Sequence, residues 1–89
     1  MNAQLIQTRN LSFMNAHLIA SSIEIRHTFR VTHEEKTYDA VIWLNPDGKF
    51  CDDELTLNGN ELGFEGPEGD VREAITEYLA ENWDSLVKK

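Results

Sequence analysis

"SSIEIRHTFRVT", residues 21–32, and "TYDAVIWL", residues 37–44, decide the fold. In the first, Ile23, Ile25, His27, Phe29 and Val31 alternate with Glu24, Arg26, Thr28 and Arg30. A period of two, with β-branched and aromatic residues on one side, predicts a strand with one buried face. The second stretch is rich in Val, Ile, Tyr and Trp. It carries so few polar residues that it reads as a central strand covered on both faces. "HEEK", residues 33–36, joins the two as a polar turn.

Further along, Asn58-Gly59 separates two short segments, 49–57 and 61–64, and marks a hairpin because both residues tolerate positive φ. "EGPEG", residues 65–69, is a cluster of structure breakers. A helix is expected from there over 70–87, with Asp70 as N-cap and Glu73 three residues later closing a capping box. Val71, Ile75, Tyr78, Leu79, Asn82 and Leu86 share one side, with Ala74 and Trp83 at its edges. Lys88 and Lys89 stand at the end where cations favour the helix dipole. The expected architecture is α+β: a small antiparallel β-meander of three to five strands packed against one C-terminal amphipathic helix.

The first twenty residues resist this reading. "MNAQLI" at 1–6 recurs as "MNAHLI" at 14–19, a spacing too short for a solenoid unit. The repeat is a local duplication, or Met14 is an alternative start. Residues 4–9 suit an extended strand, with a short helix from Asn10 as the other option. The whole chain, 89 residues and 10.2 kDa, is the size of one domain.

"WLNPDGKFCDDE", residues 43–54, resembles a calcium loop: Asn45, Asp47, Gly48 and Glu54 fill positions three, five, six and twelve of the frame. Position one demands a carboxylate and holds Trp43, which cannot ligate a hard cation. Asn-Pro-Asp-Gly instead fits a type I turn position by position. No metal is expected, there or elsewhere, because one cysteine and scattered histidines lack ligand spacing.

Charge is the most informative bulk property. The net charge is −8. Residues 1–44 are neutral, with four bases against four acids, and residues 45–89 hold twelve acids against four bases. The predicted helix concentrates them: Asp70, Glu73, Glu77, Glu81 and Asp84 fall within an arc of roughly 80° at ~100° per residue. Like charges at i and i+4 cost a few tenths of a kcal/mol each, so the stripe opposes helix stability. Asp52, Asp53 and Glu54 begin the acidic half. Such a surface disfavours direct contact with nucleic acid or an anionic membrane, which need cationic partners. It favours a basic protein partner.

Catalysis is not expected. Nucleophilic chemistry needs Cys51 or a serine beside an oriented base. His27 alternates onto the apolar side of its strand, where it could lie buried near Cys51, but no third orienting group or oxyanion signature accompanies them. No loop cradles phosphate, since "GFEGPEG" is acidic where an anion would sit. Asp84-Ser85-Leu86 matches the tripeptide that carries the prosthetic group of acyl carrier proteins. There the serine begins a helix with much of the chain to follow, and here four residues remain. One cysteine, no basic-then-apolar N-terminus and no apolar run near ~20 residues fit a cytoplasmic protein. The expectation is a non-enzymatic acidic binding module without cofactor. It would act as an inhibitor or nucleic-acid mimic on a basic nucleic-acid-handling protein, through Asp52, Asp53, Glu54 and the five helix acids. The alternative is an assembly subunit that self-associates, as a homodimer, through a sheet edge or apolar surface.

Overall fold

The computed structural model describes residues 1–14, 21–45 and 47–87. Five strands form one antiparallel sheet in the order β1-β2-β3-β4-β5: Asn2–Met14, Ser21–His33, Lys36–Leu44, Phe50–Leu57 and Asn60–Glu61. Two helices follow, α1 over Gly66–Glu81 and α2 over Trp83–Val87. The α+β meander with a C-terminal helix is thus the fold, and the meander starts at Asn2 rather than at residue 21.

The inward row of β2 and β3 is the one the alternation marks. His27, Phe29 and Val31 on β2, and Tyr38, Ala40 and Ile42 on β3, are buried. They pack under Ile75 and Leu79 of α1, with Leu55 from β4 completing the centre. Trp83 of α2 closes one end, its ring 5.4 Å from that of His27 and 5.5 Å from that of Phe29.

β1 follows no simple alternation because of a bulge. Leu5 pairs with Phe29 and Gln7 with Thr28, so Ile6 is the extra residue and stays 42% exposed. Before the bulge Ala3 and Leu5 pack against the core, and after it the exposed Thr8 lies on the same side as His27, its register partner, and is hydrogen-bonded to it. One inserted residue reverses the phase of every later side chain. The second copy of the repeat, 14–19, lies almost wholly outside the described residues, as do His17, Pro46, Lys88 and Lys89.

The turns divide into expected and unexpected. Gly48 N–H donates to the Asn45 carbonyl at 2.8 Å, Lys49 N–H donates to Asp47 Oδ1 at 3.0 Å, and Gly48 takes φ +87°. Trp43 and Leu44 bracket a second register shift that leaves Cys51 without a direct partner. Asn58-Gly59 forms a two-residue hairpin loop with φ of 55° and 85°. The β2–β3 loop has the same form without the same residues. His33 pairs with Lys36, and Glu34 and Glu35 between them sit at φ 52° and 68°. Two adjacent glutamates therefore hold a left-handed conformation that L side chains resist.

The helix departs from expectation at both ends. It begins at Gly66, with Glu65 at the N-cap position and no side-chain cap, so Asp70 and Glu73 form no capping box. The breaker cluster is the helix's first turn: Pro67 lacks only an N–H that would be unsatisfied there anyway. Glu68 turns back to accept the Gly63 N–H at 2.9 Å. At the other end the expected single helix breaks at Asn82. Its Nδ2 donates to the Tyr78 carbonyl at 2.9 Å, alongside its own backbone N–H at 3.0 Å. The backbone leaves helical geometry at Asn82, with φ −109° and ψ 15°, and Trp83 beyond it turns toward His27 and Phe29.

β3 is central, yet the helices cover one of its faces only. Val41 and Trp43, alternating with the buried residues, point to the opposite face and are half-buried.

Candidate functional site

The helix that closes the core also displays the acids. Arg72, Ile75 and Leu79 face the sheet, and Asp70, Glu73, Glu77 and Glu81 project from the opposite side into solvent. From Asp70 to Glu81 the row runs about 16 Å along the axis at ~1.5 Å per residue. Among the described residues none of these carboxylates is in an ion pair, the pairs present being Arg30–Asp39, His33–Glu34 and Arg72–Asp53. Asp84 is exposed as well but belongs to α2, beyond the break at Asn82.

The three acids of β4 do not form one patch. Asp53 pairs in register with Ile42 and turns toward the helix, whereas Asp52 and Glu54 pair with Trp43 and Val41 and turn to the far face. Asp53 is held by Arg72, whose Nη2 donates to Asp53 Oδ1 at 3.3 Å. The Arg72 side chain is only 8% exposed and that of Asp53 22%. Arg72 Nη1 donates to the Leu62 carbonyl at 3.1 Å, and the guanidinium sits 4.2 Å from the Phe64 ring centre. This arginine ties the β5 exit, β4 and α1 together. Sequence reasoning passes over it because an arginine does not announce burial. Its one signal is position, three residues before Ile75 and seven before Leu79 on the apolar stripe.

Beside that pair a cleft of about 550 Å³ opens between α1 and the ends of β3 and β4. Ile42, Leu44, Phe50, Leu79 and Trp83 supply apolar walls, and Asp53 is the carboxylate among them. Phe50 at the rim is 61% exposed. Thr76 and Ala80 also line it. At ~100° per residue these two fall on the helix flank between Leu79 and the acidic row. The cleft and the row are therefore neighbours, an apolar hollow along one side of a line of carboxylates. Clefts of ~300–1,000 Å³ with apolar walls and few polar groups are the usual form of binding sites.

His27 and Cys51 are not brought together. His27 is buried under the helices and shares a 2.9 Å hydrogen bond between its Nδ1 and Thr8 Oγ1. Cys51 is exposed, with its Sγ 3.9 Å from Glu24 Oε2. Among the described residues no three of His, Cys, Asp and Glu are grouped to hold a metal ion, and no helix is long and apolar enough to cross a membrane. Comparison with family models, curated proteins and solved structures finds no match for this chain.

Proposed function

We propose that this chain is a non-enzymatic binding module whose acidic helix docks on a basic protein surface. In its specific form it is an inhibitor that occupies the nucleic-acid site of its partner. One observation carries the reading: a row of exposed carboxylates, in no ion pair among the described residues, flanks an apolar cleft with Asp53 at its wall. The row supplies the field that steers a cationic surface into place. The cleft supplies what exposed charge cannot, a desolvated pocket for an apolar anchor. A partner that presents one aromatic or aliphatic side chain among lysines and arginines satisfies both at once. Nucleic-acid-binding surfaces often have this composition, basic with aromatic side chains interleaved.

The test is capture on the immobilised protein at low salt, in parallel with a variant carrying Glu73→Lys, Glu77→Lys and Glu81→Lys. The expected result is a retained basic protein that elutes as salt rises, is lost from the variant, and is displaced by added duplex or single-stranded nucleic acid. Retention on the variant would remove the helix face as the site. Failure of nucleic acid to compete would remove mimicry while leaving a charged interface.

A further inference from the structure

The sheet face away from the helices carries an ordered pattern of charge. Register pairs place Arg9 opposite Arg26, Arg26 opposite Trp43 and Trp43 opposite Asp52, so these four form one lateral row on that face. The next row is Gln7, Thr28, Val41 and Glu54. Within these two rows charge runs from positive on β1 and β2, across Val41 and Trp43 on β3, to negative on β4. The adjoining row is Gln4, Arg30, Asp39 and Thr56, where Arg30 and Asp39 pair with each other, and Glu24 stands beyond Arg26 on β2. Arg9 and Arg26 are direct cross-strand neighbours of like charge, which is destabilising in isolation. Among the described residues neither has an acid within ion-pair distance, and Asp52 and Glu54 have no base. Arg26 Nε is buried and has no hydrogen-bond partner among the described residues.

We propose that this face binds a second copy of this chain, sheet against sheet, about a two-fold axis that runs parallel to the strands along β3. That axis is selected by charge. It lays β2 of one copy over β4 of the other, so each Arg26 meets Asp52 of the second copy in the same row. Val41 and Trp43 meet their own counterparts at the axis. A two-fold perpendicular to the strands would instead stack arginine on arginine. The composition of β3 agrees, because it is that of a strand covered on both faces, and one copy covers only one. Under that axis β2, β3 and β4 of the two copies overlap, and three strands at ~4.8 Å with nine residues of β3 at ~3.4 Å give a flat footprint of roughly 440 Å². Side-chain relief enlarges this toward the small end of specific interfaces, below the ~800 Å² per partner of a standard one. The acidic helix lies on the opposite side of each copy and stays free.

Sedimentation equilibrium at about 100 μM tests the proposal, because a micromolar dimer is populated there. Wild type is expected to be a dimer. Arg26→Asp and Asp52→Arg each turn two symmetry-related attractions into repulsions and are expected to be mainly monomeric there, with dissociation constants raised at least about a thousandfold, to the millimolar range. Their equimolar mixture is expected to recover a dimer. The first variant then carries carboxylates at both positions of the row and the second carries guanidinium groups at both, so every cross-copy contact joins opposite charges. A monomeric wild type, a dimer that survives either reversal, or a mixture that stays monomeric overturns the proposal. If Arg26→Asp lacks the wild-type circular dichroism spectrum, Trp43→Lys replaces it. Two ammonium groups then meet at the axis, and a dimer that persists overturns the arrangement.

Discussion

Replacing Asp53 by alanine removes one partner of a buried ion pair and leaves the other in place. Breaking such a pair costs about 3–5 kcal/mol when the remaining charge is left unpaired. Two features of this site reduce the figure. Arg72 keeps its bond to the Leu62 carbonyl at 3.1 Å and its position over the Phe64 ring. The Asp53 side chain also retains contact with water, at 22% exposure. The expected loss is therefore about 2–3 kcal/mol. A chain of 89 residues has a total stability of roughly 4–13 kcal/mol, so the variant keeps its fold with a much smaller margin. Urea unfolding followed by circular dichroism should show the midpoint lowered by about 1–2 M at unchanged m-value. The melting temperature should fall by roughly 10–20 °C. The double variant Asp53→Leu, Arg72→Met supplies the control. Replacing both charges by apolar groups of similar volume is often neutral, so it should lie within ~1 kcal/mol of wild type. With the singles Asp53→Leu and Arg72→Met measured beside it, the cycle should give a coupling energy of at least about 2 kcal/mol. A cost below ~0.5 kcal/mol for Asp53→Ala, or a double variant as unstable as the two singles added together, would show that the pair does not fasten α1 to the sheet.

Two further stability changes follow from backbone geometry. Glu35→Gly should stabilise the protein by about 1 kcal/mol, read as a higher urea midpoint, because Glu35 holds φ 68° and glycine meets no steric penalty there. Gly69→Ala should cost about 1–3 kcal/mol despite the better helix propensity of alanine. A Cβ at that position would collide with the Phe64 carbonyl, which is backbone and cannot swing aside.

How far the sequence is legible depends on the range of the interactions involved. The strand pattern of residues 21–44 and the Asn58-Gly59 hairpin are readable because alternation and turn chemistry are local. β1 is legible only in part: the strand expected over residues 4–9 is there, within Asn2–Met14, but its full length and the facing of its side chains are not, because the bulge at Ile6 reverses the alternation midway and is set by pairing with β2. Asp70 has the spacing of an N-cap, but the Gly66-Pro67 entry starts the helix a turn earlier. The turn at Glu34-Glu35 shows the same limit from the other side. Nothing in those residues asks for positive φ, and the two-residue closure between His33 and Lys36 imposes it.

The candidate site divides along the same line. By itself the sequence determined that the second half is acidic and that Asp70, Glu73, Glu77 and Glu81 share one side of a helix, since both follow from composition and a fixed helical period of about 3.6 residues. Only the tertiary structure decided the fate of the adjacent acids Asp52, Asp53 and Glu54. Strand pleating sends neighbours to opposite faces, and the position of Arg72 in the packed helix decides which carboxylate is bound inside. The cleft beside Phe50, and the row from Arg9 to Asp52 across four strands, likewise exist only when segments far apart in the chain are brought into register.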